Sequence, residues 1–532
     1  MNKLGRDKIL NIILIAVMVI MGAVLIKNLG DRERQTIKVA SAGKGGDWNK
    51  LIAVLNQVVA SYVDSIDQDK VTEEVLPLIM AKLDPHSVYM EPQELEQADE
   101  DLSGGFDGIG IQFNVPNDTA IVTNVISGGP SDKAGLLSGD RVIKVDSVVI
   151  AGVEMPQDSM VRLMRGKKGS KVTISVQRSG SDKLVPFVVT RDKIPVKSVD
   201  VAFMVNDTTG YLKLSKFSRT SYLEFIKAML PLREKGMKRL IFDLRDNTGG
   251  YMDQAILLSN EFLDKGKLVV YMEGLHSERQ DVYADGKGFF KDLELAILIN
   301  EYSASSSEIF TGAMQDNDRA TVYGVRSFGK GLVQEPFYFS DGSGIRLTIA
   351  RYHTPTGRCI QKPYTDDYEF DILKRYERGE MISRDSILVA DSLKFVTAGG
   401  RTVYGGGGII PDVFVPLDTV GVTDFLVKCN RESLQVKFAN EICDQYRPKI
   451  REIKDMKALE SFFSTLDLKN RFIAFAKANG VTLKPGEWEI SGKYIITQVK
   501  AIIGRYTPMD DAAFYPIFLT IDNTAQRALA GK

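Results

Sequence analysis

Apolar positions change their period several times along the chain, and each change marks a boundary. Over residues 10–26 they run almost unbroken, interrupted only by Asn11 and Gly22. A small, polar stretch over 36–47 follows and reads as a linker. Helical spacing then appears: Leu51, Val54, Leu55, Val58, Val59 and Tyr62, and after them Val75, Leu76, Ile79, Met80 and Leu83. Asp84-Pro85 stops this pattern, because proline disfavours helix in the residue before it.

From Gly104 the texture shifts to short alternating runs divided by glycine-rich turns. These predict strands over 109–114, 120–125, 141–145, 171–177 and 184–190, with helices over 131–136 and 156–164. They make a compact, mostly β domain over 104–192. Near Asp200 strands begin to alternate with longer helical patterns. Strands are expected over 210–214, 239–243, 268–272, 295–299 and 320–323, and helices over 222–234, 252–263 and 305–315. Such alternation argues for a layered α/β domain, closed by long strands over 332–339 and 345–352. Residues 364–400 are charged and partly helical in pattern, 405–416 return to extended chain, and the chain from 426 onward mixes helical runs.

Composition adds bounds. At roughly 150 residues per domain, 532 residues suggest about three or four domains. The net charge of −1 gives no electrostatic case for nucleic acid. Cys359, Cys429 and Cys443 form no C-x-x-C; Cys429 and Cys443 could pair in an oxidising compartment. None of His86, His276 and His353 sits in a zinc motif, so no metal is expected.

The apolar run over 10–26 follows Lys3, Arg6 and Lys8, the layout of a signal sequence or membrane anchor. No small-residue cleavage site follows directly, which favours an uncleaved single-pass anchor over 9–26. Lys27, Arg32, Arg34, Lys38 and Lys44 would keep the body inside by the positive-inside rule. A hydrophobic segment at the extreme N-terminus is nevertheless usually an export signal, so the expected place of the body is the periplasmic or exported side of the inner membrane.

Three stretches carry possible chemistry. In "ILINEYSASSSEIFTGAM", a strand-like run gives way to Ser303, Ser305, Ser306 and Ser307 at the start of a helical pattern. Ser305 and Glu308 form S-x-x-E, a capping box. A nucleophile at a helix N-terminus would look the same, since N–H groups and the helix dipole favour negative charge there. A serine needs a base. "VRSFGKGLVQEPF" places Lys330 between Gly329 and Gly331, with Phe328, Leu332 and Val333 able to make an apolar pocket. Burial lowers a lysine from its ordinary value near 10.4 towards use as a base. Gln334 could hold the amine without adding charge. In "IFDLRDNTGG", a strand ends at Asp243 and Gly249 and Gly250 could offer backbone N–H groups to an oxyanion.

In this order, with strand–helix units between them, the three stretches resemble the carboxyl-terminal processing peptidases, or tail-specific proteases. "SASSSEIFTGAMQDNDRATVYGVRSFGKGLVQ" is similar to that family's catalytic segment almost throughout, and the resemblance runs from about 51 to 416. It implies a crotonase/ClpP-like layered α/β protease core over 200–416. Helical regions would lie over 45–103 and 417–532, the latter without an assigned role. It implies Ser305 as nucleophile, Lys330 as base and Gln334 as the residue that orients the base. Gly249 or Gly250, with the N–H of Ser306, would form the oxyanion hole. Ser306 stands where the family usually has alanine, and Thr248 where it usually has proline.

Residues 104–192 resemble the PDZ domain that this family inserts before its core. "FDGIGI" corresponds to the loop that receives a C-terminal carboxylate: Gly108, Ile109 and Gly110 let successive N–H groups converge on an anion, and the following strand can accept a peptide strand. Met160 and Leu163 are candidates to line the pocket for the last side chain. Arg165 is the candidate to relay occupancy to the catalytic loop. The implied activity is a serine endopeptidase acting near the C-termini of protein substrates, without cofactor. The alternative is a catalytically inactive PDZ scaffold that only binds peptides. The sequence leaves a homo-oligomer open.

Overall fold

The computed structural model describes residues 48–531, apart from 116, 117, 127, 179, 180, 182 and 366. The apolar run over 10–26 therefore lies outside the described residues; among the described ones no helix is long and apolar enough to cross a membrane. The chain divides into two units, one built from residues up to 98 together with 333–349, the other from 99–332 and 350 onward.

In the first unit, the helices Trp48–Ser61 and Gln68–Met80 realise the helical spacing read from the sequence. Asp84 explains the stop: its carboxylate accepts the N–H groups of His86 and Ser87, each at 2.8 Å, and the Ser87 hydroxyl at 2.7 Å. The strand Val88–Met90 then pairs antiparallel with the first residues of Gly344–His353, Tyr89 opposite Ile345.

In the second unit, the small β domain has the expected elements. Strands Ile111–Asn114, Ala120–Val125, Arg141–Val145, Lys171–Gln177 and Val185–Thr190 form one sheet in that order, and Gly105–Gly108 pairs separately with Asp192–Pro195. Helices Pro130–Ala134 and Gln157–Met164 flank it around a core that includes Ile109, Val122, Leu136, Val142, Met160 and Val172.

The larger sheet runs in the order Val199–Met204, Thr209–Leu214, Arg239–Asp243, Glu294–Ile299, Thr321–Gly324, Val413–Phe414. Its first pair is antiparallel and all later pairs are parallel. Parallel strands buried on both faces read as continuous apolar runs, and Leu240–Phe242 and Leu295–Ile299 are almost wholly buried. Helices Ser221–Glu234, Met252–Asn260 and Ser306–Asp316 follow strands of this sheet. The strand expected over 268–272 exists as Leu268–Gly274 but belongs to a separate antiparallel ladder with Ser277–Tyr283.

The C-terminal region is helical, with its own core around Phe438, Phe472, Leu459 and Ile495. Its end does something that period alone could not foretell. Leu519, Ala525 and Ala528 join the same core cluster as Tyr211, Ile241 and Leu298 of the large sheet.

Candidate active site

The strand Glu294–Ile299 delivers the chain to the serine cluster, and the helix Ser306–Asp316 leaves it. Parallel strands feed such junctions at their C-terminal ends, where α/β folds usually place their chemistry. The four serines separate by environment. Ser303, Ser306 and Ser307 are buried, and each hydroxyl donates to a backbone carbonyl: Ser303 to Leu244 at 2.8 Å, Ser306 to Gly250 at 2.9 Å, Ser307 to Asn247 at 2.8 Å. Ser305 alone of the four is partly exposed.

Ser305 also has φ 54° and ψ −115°, a conformation that costs a non-glycine residue of order 1–3 kcal/mol. The reciprocal capping pattern with Glu308 is present in outline. Its backbone half is firm: the Ser305 N–H donates to Glu308 Oε2 at 2.9 Å. The Glu308 N–H donates to the Ser305 carbonyl at 2.8 Å, and the Ser305 hydroxyl faces that same N–H as the other half of the box without completing a cap hydrogen bond. Among the four serines, Ser305 is thus the one whose hydroxyl is not bonded to a carbonyl among the described residues.

Glu308 reaches further. Its Oε2 also accepts the Lys330 N–H at 2.8 Å, and its Oε1 accepts the Gly329 N–H at 2.7 Å and the Ser327 hydroxyl at 2.5 Å. Burial pushes this carboxyl up from its ordinary value, against the pull of those donors. Tyr352 forms a second tie: its hydroxyl lies 3.1 Å from the Ser305 carbonyl and 2.7 Å from that of Lys330. Neither bridge was read from the sequence. The S-x-x-E spacing was the available signal for Glu308, and for Tyr352 there was none.

The glycine turn abuts the serine. A Cβ on Gly249 would lie 2.7 Å from Ser305 Cβ and 2.9 Å from Ser306 N, and Gly249 has φ 102°, so only glycine fits. The Gly249 N–H donates to Asn247 Oδ1 at 2.9 Å, while no hydrogen bond of the Gly250 N–H occurs among the described residues. Of the two oxyanion candidates, Gly250 is therefore the one with an available donor. Asn247 also donates to Leu214 O at 2.9 Å, which stiffens the turn that has Thr248 in place of proline. Ser306, in place of alanine, adds its bond to Gly250 O.

Gln334 lies on the strand Leu332–Tyr338, and its side-chain amide donates to His86 O at 2.6 Å within the first unit. His353 stacks on Tyr271 with ring centroids 4.6 Å apart and its Nδ1 faces Gly357 O at 3.1 Å, and His276 is exposed in a hairpin turn.

In the β domain, Gly108 ends the strand Gly105–Gly108, and Gly110 takes φ 76°. The Ile109 and Gly110 carbonyls accept the N–H groups of Ser131 and Ile126, at 2.9 and 3.1 Å. Met160 corrects the expectation of a pocket-lining side chain: it is fully buried in the domain core, because its helix turns that face to the sheet, whereas Leu163 is partly exposed. Arg165 lies 4.3 Å from the Phe106 ring centroid and 3.5 Å from the Glu100 carboxylate, so it joins the β domain to the helix Pro92–Ser103. Cys429 and Cys443 are separate buried thiols, and burial pushes Cys429 up to about 12. Among the described residues no cluster of side chains suited to a metal ion occurs.

Comparison with known proteins agrees with this anatomy. Residues 208–370 match Peptidase family S41, residues 108–189 match the PDZ domain, and residues 425–507 match a family of unknown function (DUF8443). A probable CtpA-like serine protease of Staphylococcus aureus is 37% identical over 314 residues, covering 59% of this chain and 62% of that relative. One of the same description from Staphylococcus epidermidis is 37% identical over 313 residues, covering 58% and 62%. The chain thus spans less than two thirds of the length of these relatives. A putative S41 protease from Bacteroides fragilis superposes with a TM-score of 0.39 at 15% identity, over 64% of this chain and 99% of that one. Residues 208–370 are thus similar to peptidase family S41 and residues 108–189 to the PDZ domain, in the same order as the catalytic stretches and the small β domain described above.

Proposed function

We propose that the protein is a serine endopeptidase that cleaves protein substrates near their C-termini through a Ser305–Lys330 dyad. The observation that carries this reading is the serine cluster itself. Three hydroxyls are buried and committed to carbonyls, and the fourth, on a strained and partly exposed residue, is uncommitted. Strain of this kind, maintained by surrounding bonds, is characteristic of functional sites.

In the proposed reaction Ser305 Oγ attacks the scissile carbonyl and passes its proton to the Lys330 amine. The amine returns a proton to the leaving nitrogen as the tetrahedral adduct collapses to an acyl-enzyme, and water then repeats the sequence. The N–H groups of Gly250 and Ser306 receive the oxyanion. By its resemblance to the family, Gln334 is assigned to orient the amine. The PDZ domain takes the substrate's terminal carboxylate at Gly108, Ile109 and Gly110, with Leu163 beside the last side chain. Arg165 relays occupancy, and the run over 10–26 anchors the body on the exported side of the membrane.

The test is cleavage of a protein with a defined apolar C-terminal tail, followed by mass spectrometry of the products. Wild-type protein should release C-terminal fragments, and Lys330→Arg should not, because a guanidinium stays protonated. Cleavage by the arginine variant would remove lysine from the mechanism. Full-length protein should partition with membranes and be open to added protease in spheroplasts; protection there would put the body inside.

A further inference from the structure

The turn that carries Gly249 and Gly250 starts at Asp243 and Arg245, and Arg245 is held from two sides. Its Nε lies 3.0 Å from Asp243 Oδ1 and its Nη2 2.6 Å from Asp243 Oδ2. Its other edge faces Asp522: Nη1 to Oδ1 at 2.9 Å and Nη2 to Oδ2 at 2.7 Å. Asp243 is fully buried and Asp522 nearly so. Asp522 lies far along the chain, outside residues 208–370 and 425–507 that match known families.

Its location is built. Asp522 Oδ1 accepts the Ala525 N–H at 2.9 Å and so caps the helix Asn523–Ala530. That helix is pinned to the large sheet through Ala525 and Ala528 in the shared core, and through Arg239, whose Nη2 donates to Ala528 O at 2.6 Å. Lys213 completes the set, with Nζ 2.9 Å from Arg245 O and 3.9 Å from Asp243. Two carboxylates therefore face two cations. Removing one carboxylate leaves the guanidinium half-paired in a poorly solvated place, which is costly. Burial opposes ionisation of Asp243, but the Arg245 guanidinium and Lys213 outweigh it and keep it charged.

From Arg245 the chain runs directly into the site. Leu244 O accepts the Ser303 hydroxyl, Asn247 O accepts the Ala304 N–H at 3.0 Å and the Ser307 hydroxyl, and Asn247 Oδ1 holds Gly249. We infer that Asp522 is a positioning residue for the oxyanion turn: by fixing Arg245 it sets the placement of the Gly249–Gly250 turn, whose Gly249 abuts Ser305. The C-terminal segment over 511–530 is then part of the catalytic unit. This rests on the peptidase reading above.

The experiment uses the full chain carrying Asp522→Asn. Asparagine keeps the helix cap and the shape but removes the charge. In wild type, Asp522→Asn, Arg245→Lys and the double variant, four quantities are measured: kcat and KM for a tail-bearing substrate, Ki of a peptide aldehyde, and hydrogen exchange of residues 244–250. The aldehyde adduct with serine places an oxyanion where the turn must hold it. Asp522→Asn should lower kcat by about ten- to a hundred-fold, raise the aldehyde Ki in parallel and leave KM nearly unchanged. Exchange over 244–250 should quicken. In the Arg245→Lys background the same change should add little, since the two act as a unit. A kcat, Ki and exchange rate equal to wild type would overturn the inference. So would a loss that disappears when activity is normalised to the fraction of folded protein. If wild type itself does not cleave, the peptidase reading fails, and unchanged exchange over 244–250 would still decide against Asp522 separately.

Discussion

The backbone N–H of Lys330 donates to Glu308 Oε2 at 2.8 Å, the same oxygen that receives the N–H of Ser305 at 2.9 Å. One buried carboxylate therefore fixes the backbone of the proposed nucleophile against that of the proposed base. Glu308→Gln puts an NH2 group among N–H donors and should leave at least one unpaired, at a cost of about 1–3 kcal/mol. The kcat should fall by about a hundred-fold through misplacement of the dyad. Steady-state kinetics beside a thermal melt check this; an unchanged kcat would show that the two backbones hold their places without the carboxylate.

The serines should respond in opposite ways. Ser305→Ala should abolish cleavage with almost no change in Tm, because the hydroxyl makes no cap hydrogen bond. Ser303→Ala and Ser307→Ala should keep activity but lower stability by about 0.5–1.5 kcal/mol for each hydrogen bond lost, and Ser303→Ala should cost more because Ser303 Oγ also accepts the Asn300 N–H at 3.0 Å. Denaturant melts and product analysis on the three variants measure both. A dead but stable Ser307→Ala would move the nucleophile.

Gly249→Ala should be both less stable and inactive. The added methyl would meet Ser305 Cβ at 2.7 Å and Ala304 O at 2.8 Å, at φ 102°. Overlap of that size is relieved only by shifting backbone, which costs about 1–3 kcal/mol. Wild-type kinetics in this variant would mean that the turn and the serine are not in register during catalysis.

Stability should carry a component that falls as pH rises towards neutrality. Burial, with Asp511 beside it, pushes Asp510 up to about 6, above its unfolded value near 3.9. The folded protein then holds a proton that the unfolded chain releases. The resulting stabilisation is complete below about pH 4 and is lost as pH passes through about 6. Asp510 accepts from Asn124 of the PDZ domain at 2.7 Å, and Asp510→Asn keeps an acceptor and tolerates φ 52°. The difference in Tm, variant minus wild type, should therefore grow between pH 4 and pH 7. A flat difference would show that Asp510 is not held protonated.

Peptide recognition has a direct check in the full-length Ser305→Ala variant. On the proposed reading, in which the N–H groups of the Gly108–Gly110 loop receive a carboxylate, a peptide with a free C-terminus should bind more tightly than its amide. Arg165→Ala, which removes the Glu100 and Phe106 contacts, should slow cleavage in the active enzyme without altering that affinity. Equal binding of acid and amide would remove the carboxylate loop, and normal turnover in Arg165→Ala would remove the relay.

Much is legible in the amino-acid sequence alone. The strands at 239–243 and 295–299, the helix that opens after Ser305, and the turns at Gly110 and Gly249 follow from period and from backbone freedom, which depend on residues a few places apart. Ser305, Lys330 and Gln334 stood in a recognisable order for the same reason. Only the tertiary structure decided which serine hydroxyl stays uncommitted, since the acceptors that occupy the others are Leu244, Asn247 and Gly250, more than fifty residues earlier. It decided likewise that Asn247 claims the Gly249 N–H, that Met160 closes into the PDZ core, and that Asp522 returns to Arg245. Local sequence sets which hydrogen-bonding groups a segment presents. Which partner satisfies each one is settled by burial, when distant segments compete for the same donors and acceptors away from water.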